Sequence, residues 1–150
     1  MNHEMQGVTM ALTSGGAAEG TNAATFQFAT DILFAIDGRL FTKTAADNLA
    51  FSSGHTTVPV SSSCLFGVYL DTAGAVTTVQ GPIVLTADLT AGAAVLAFPG
   101  AQAGKVMVAA IRVATNASVP FVPGTTDLGA AGITDTYYNL SSAPTRPLTS

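Results

Sequence analysis

What most limits this chain is a shortage of the long polar side chains that coat a helix exposed to water. Only 9% of its 150 residues are charged, whereas 48% are hydrophobic. A solvent-facing amphipathic helix needs a stripe of Glu, Lys, Gln or Arg, and there are too few here to write one. Ala, Thr, Gly and Ser dominate instead, and Thr suits a half-exposed pleated surface. Fifteen Gly and seven Pro supply frequent stops. The expectation is an all-β chain forming one domain, long enough to bury a core without disulfide or metal staples.

Period-two alternation supports that class. Phe26, Phe28, Ile32, Phe34 and Ile36 share one parity, and Asp37-Gly38 follows as a strong hairpin signal before Leu40-Phe41-Thr42. Phe66, Val68 and Leu70 share a parity and run into Asp71-Thr72-Ala73-Gly74, from which Ala75 to Gln80 returns as a second arm. Lys105 to Ala114 is apolar on both parities apart from Arg112, the pattern of a central strand covered on both faces. Thr115-Asn116-Ala117-Ser118 turns the chain into a further strand at Val119 to Val122, which Pro123-Gly124 ends. Leu89, Ala93 and Leu96 have helical spacing and predict one or two helical turns between Thr86 and Phe98. Thr44 to Asn48 is a second candidate for a single turn. The fold expected is one antiparallel domain, a β-sandwich, a jelly roll or a small barrel. Alternation does not encode connectivity, so it leaves that choice open.

The ends have another texture. Residues 1–24 contain Ser14-Gly15-Gly16-Ala17-Ala18-Glu19-Gly20, and residues 141–150 contain Ala143-Pro144-Thr145-Arg146-Pro147. Both read as extended N- and C-terminal arms flanking a β domain at 25–140. Arms this poor in apolar groups need a partner to order them, and a neighbouring subunit is the economical one. The alternative is that they pack back on their own domain. Val8, Met10 and Leu12 at period two make Gly7 to Thr13 a candidate added strand, and so a candidate interface. Tyr137 and Tyr138 are the other interface candidates; as neighbours on a strand they point to opposite faces, one packing and one showing its hydroxyl.

Signs of chemistry are sparse. Five Lys and Arg against nine Asp and Glu cannot supply the basic cluster of a nucleic-acid binder. No apolar run reaches the ~18 residues of a spanning helix, the longest candidate being broken by Asp88, Thr90 and Gly92. Met1 to Gln6 holds Glu4 and no Lys or Arg, which is not the opening of a signal peptide. Cys64, beside Leu65 and Phe66, reads as a small buried hydrophobe rather than a nucleophile. His3 and His55 are too far apart in sequence to suggest a metal pair. Asp127 and Asp135 around a Gly-rich loop suggest Asx-turns before a Ca²⁺ site, and Asp31 reads as solvent-facing. No catalytic, cofactor-binding or metal-ligating residue is expected, and an enzyme is not.

Two stretches carry a resemblance. Phe34-Ala35-Ile36-Asp37-Gly38-Arg39-Leu40-Phe41-Thr42-Lys43 to Phe51 resembles the opening of small virion structural proteins of tailed bacteriophages. Phe121-Val122-Pro123-Gly124-Thr125-Thr126-Asp127-Leu128, continuing through Gly132-Ile133-Thr134-Asp135-Thr136-Tyr137, is similar to their end. The resemblance implies a virion component made in the host cytoplasm, and it carries over no active-site residue. A capsid decoration (cement) protein is the reading that fits small size, negative charge and arms. It would sit on the capsid exterior, with the major capsid protein and copies of itself as partners, a trimer being one arrangement, and with no nucleic acid or membrane. A tail, baseplate or fibre module that aids assembly or binds a host receptor is the alternative, and copy number per particle separates the two.

Overall fold

At Asp37-Gly38 the chain reverses in the tightest way open to it. Ile36 pairs with Arg39, so only two residues form the loop, and both have positive φ, 50° at Asp37 and 78° at Gly38. That is the backbone of a type I′ turn, whose twist matches the strands it joins. A computed structural model describes residues 7–149. In chain order its elements are β1 (Met10–Ala11), β2 (Ala17–Glu19), β3 (Phe26–Phe28), β4 (Ile32–Ile36), β5 (Arg39–Lys43), β6 (Ala46–Leu49), β7 (Ser62–Asp71), β8 (Val76–Gln80), β9 (Val84–Leu85), α1 (Thr86–Thr90), β10 (Lys105–Thr115) and β11 (Ile133–Asn139).

All of the strand pairs are antiparallel. They form a large sheet of order β11-β10-β7-β8, with β9 also on β7, and two small sheets of order β1-β4-β5 and β2-β3-β6. One core lies between the large sheet and the small ones. Phe26 and Phe28 of β3 and Ile32, Phe34 and Ile36 of β4 meet Phe66, Val68 and Leu70 of β7 and Ile111 and Val113 of β10. The domain is therefore an all-β sandwich.

The long central strand explains its own sequence. Val106, Ala109, Ile111 and Val113 of β10 all face this core, although 106 and 109 differ in parity. The register against β7 slips between Met107 and Ala109, a bulge that moves the core positions from even to odd. The opposite face is covered as well. Leu65 and Ala110 pack there with Leu89 of α1 and with Leu96, and Phe98, Tyr138 and Leu148 close around them.

Three expectations are corrected. The run Phe26 to Ile36 is two strands in two sheets, broken at 29–31, although all five of its apolar positions are buried. Ala46–Leu49 is strand β6, not a helical turn; it pairs with β3, and Asn48 sits there with φ 55°. Val119 to Val122 contributes one bridge, Phe121 to Val58, rather than a strand. Helical spacing after Thr86 yields the single turn α1.

The described parts of both terminal segments lie against the domain. β1 pairs with β4, and β2 with β3. The Ala11 N–H donates to the Ser141 carbonyl at 2.6 Å, so β1 joins a small sheet to the chain leaving the large one. Leu148 forms a two-way backbone bridge with Leu96, each bond 2.8 Å. The alternative weighed from sequence, arms packed on their own domain, describes what this chain does with residues 7–24 and with Leu148.

Candidate functional site

The small sheet β1-β4-β5 has one face in the core and an outer face that is only partly in water, Ala35 on it being fully buried. Ala11 and Phe34 are opposite each other and buried, so their neighbours point outward. Met10, Ala35 and Leu40 form one row across this outer face, because Ala35 pairs with both of the others. Leu12 and Leu33 form the next, with the Leu12 N–H donating to the Leu33 carbonyl at 2.7 Å. Leu40 is 57% exposed, Leu12 42% and Leu33 36%. Val8 continues the β1 parity, held by the Gly38 N–H on its carbonyl at 2.8 Å. Side chains fix the same strap: the Thr9 hydroxyl accepts from the Asp37 N–H at 3.1 Å, and the Thr13 hydroxyl from the Leu33 N–H at 2.8 Å.

Sequence reasoning singled out Val8, Met10 and Leu12, and the fold brings these three together on one surface. It missed Leu33 and Leu40. The available signal was that both are apolar on the parity opposite Phe34 and Phe41, where a water-facing strand position is ordinarily polar. The free edge of this sheet is β5. Arg39, which is exposed, and the half-buried Lys43 flank Phe41 on its parity, and charged side chains on an edge strand discourage another strand from pairing there. Phe41 itself stacks on Phe34, ring centroids 5.7 Å apart. The outer face, rather than the edge, is the accessible apolar surface of this sheet.

Tyr137 and Tyr138 do point to opposite faces of β11, and neither belongs to that outer surface. Tyr137 packs against the main core, and Tyr138 lies edge-on to Phe98 at 6.4 Å on the far side of the large sheet. The Tyr137 hydroxyl is buried without a hydrogen-bond partner; Asp135, two residues along the same side of β11, approaches it without completing a bond. Burial, with the negative charge of Asp135 and Glu19 added, holds this phenol well above its ordinary range.

The remaining singled-out groups are structural. Cys64 is fully buried with its thiol on the Gly81 carbonyl at 3.2 Å, and burial pushes it up to about 11. Asp31 is exposed, and its carboxylate accepts from the Ala45 N–H at 2.8 Å. Asp127 caps a turn through its carbonyl, which accepts from the Ala130 N–H at 3.2 Å, whereas Asp135 lies on β11 opposite Val113 rather than in a turn. Among the described residues no group of His, Cys, Asp and Glu is placed to hold a metal ion, and no helix is long and apolar enough to cross a membrane. His3 lies outside the described residues. A cleft of about 190 Å³ is lined by Thr9, Lys105, Met107 and Ser142, and the Lys105 ammonium group donates to the Thr77 hydroxyl at 3.1 Å. Comparison with family models, curated proteins and solved structures finds no match.

Proposed function

We propose that this protein is a non-catalytic structural component of a bacteriophage particle, a decoration (cement) protein seated on the outside of a major capsid protein shell. The observation that carries the reading is the apolar outer face of β1-β4-β5, where Leu12, Leu33 and Leu40 stand in water on a sheet whose edge is guarded. Contiguous exposed apolar surface on a small soluble domain marks a place where another protein docks. Covering each of these leucines contributes on the order of 1 kcal/mol, the part of a full burial that their present exposure leaves open. Few positive charges and a formal net charge of −4 support a protein partner rather than DNA. The resemblance of Phe34 to Phe51 and of Phe121 to Tyr137 to phage virion proteins supplies the particle.

Co-pelleting with undecorated heads tests the reading. Wild-type protein is expected to pellet at a copy number that follows the shell lattice, and Leu40→Asp to lose most of that binding while keeping its circular dichroism spectrum. Equal binding by Leu40→Asp removes the outer face from the contact. Location of the chain only at the tail in imaged particles overturns the decoration role.

A further inference from the structure

Edge strand β8 is protected differently from β5. The segment 51–57 runs beside it and is attached almost wholly by side chains. The Ser52 N–H donates to the Thr78 hydroxyl at 2.9 Å, and the Thr78 N–H donates to the Ser52 hydroxyl at 2.9 Å. The Thr56 N–H donates to the Gln80 side-chain carbonyl at 2.8 Å, and the Gln80 amide group returns a bond to the Thr56 carbonyl at 2.9 Å. At the middle of this seam His55 Nε2 meets the Thr78 hydroxyl at 2.7 Å.

A neutral His55 can take either role in its bond to Thr78, whereas a protonated one can only donate. The Thr78 oxygen already accepts from Ser52, so its own hydrogen is free to be donated, and a neutral His55 with Nε2 unprotonated takes it. A protonated imidazole must donate at Nε2. The Thr78 oxygen would then face two donors, and its own hydrogen would lose its acceptor in a place where Thr78 is only 4% exposed. The ring's other neighbours are Phe66 and Phe51, T-shaped to it with centroids 5.3 and 6.5 Å away, and neither offers a hydrogen-bond acceptor or a negative charge.

No opposite charge offsets a cation there. Residues 50–62, 76–85 and 117–126, which supply the segment itself, β8 and the Phe121 strip, contain no Asp, Glu, Lys or Arg. β7 carries Cys64, whose thiol is bonded to Gly81; Tyr69, whose hydroxyl donates to the Gly100 carbonyl at 2.6 Å; and Asp71, which is spent on the turn amides of Ala73 and Ala75. Lys105 reaches β8 only at Thr77, the opposite parity from Thr78.

We propose that His55 is an acid-sensitive latch, which holds residues 51–57 over the edge of β8 when neutral and releases them on protonation. Burial lowers its pKa from the ordinary 6.5, in the direction this requires. The open state then binds more protons than the closed one, so the latch is fully held above pH 6.5 and weakens as pH falls through the interval below it. Release would bare the outward N–H and C=O groups of β8, an edge that another strand can pair with.

Amide hydrogen exchange on the full chain, corrected for the intrinsic pH dependence of exchange, reads the latch at Ser52, Thr56 and Thr78, with Ile111 as a reference. From pH 7.5 to 5.5 the opening constant at those three amides is expected to rise several-fold, and by no more than about tenfold, the ceiling for one proton taken up by an ordinary imidazole. Its midpoint should match the His55 ring titration seen by NMR, and Ile111 should not respond. His55→Phe should abolish the pH response. If that variant does not fold, the wild-type data still decide. Opening that does not change with pH, that persists in His55→Phe, or that accompanies a His55 titration at or above 6.5 overturns the proposal.

Discussion

The two faces of the large sheet are covered by different means. Its front is matched by other strands: β3 and β4 present Phe26, Phe28, Ile32, Phe34 and Ile36 to Phe66, Val68 and Ile111. Its back is matched by almost no regular structure. One helical turn, the stretch to Phe98 and a single residue of the tail place Leu89, Leu96 and Leu148 over Leu65 and Ala110. Strand against strand repeats one spacing many times, so it tolerates local error and leaves a periodic trace in sequence. The back depends on a few single contacts, and its backbone is held by isolated bonds such as the Leu96–Leu148 bridge. Fewer shared contacts imply a cover that opens more readily than the sheet beneath it.

Substitutions on each side test this contrast. Phe34→Ala removes a fully buried aromatic from the front and is expected to cost about 3–5 kcal/mol, seen as a cooperative fall in the denaturation midpoint with every probe shifting together. Leu96→Ala removes a fully buried leucine from the back and is expected to cost about 2–3 kcal/mol. Its signature is local: the Leu148 amide should lose protection by hydrogen exchange while Ile111 keeps its own. Equal loss at both amides would make the back cover part of the same cooperative unit and erase the distinction. Tyr137→Phe is the smallest change. It deletes a buried hydroxyl that has no partner, so stability should stay within about 1 kcal/mol of wild type, on the neutral or stabilising side. A loss of more than that by thermal denaturation would mean that this hydroxyl has a partner in solution.

The two guarded edges differ in the same spirit. β5 is defended by the charged side chains of Arg39 and Lys43, whereas β8 is defended by neutral side-chain bonds around an imidazole ring.

The front of the sandwich was legible in the residues because burial on one face of a strand imposes alternation. The Asp37-Gly38 reversal was legible because few residue pairs accept two positive φ values in succession. The outer apolar face was half legible. Val8, Met10 and Leu12 stood out by period, but Leu33 and Leu40 sit in strands whose other parity dominates the eye. Tyr137 and Tyr138 do lie on opposite faces, but both pack within the domain, and nothing local tells that both sheet faces are covered.

Sequence alone determined the all-β class, the two hairpins, the central place of Lys105 to Ala114 and the burial of Cys64, because each depends on residues within a few positions of one another. Tertiary structure decided the rest. Thr44 to Asn48 has no strong preference of its own, and Ala46–Leu49 became strand because β3 offered an edge to pair with. Phe26 to Ile36 reads as one strand, and it divides because its two halves serve different small sheets. The N-terminal segment turned inward because the edge of β4 and the Ser141 carbonyl lie side by side, over 100 residues apart in the chain. A backbone N–H finds its acceptor through the closed fold, and no pattern of neighbouring side chains announces a partner at that distance.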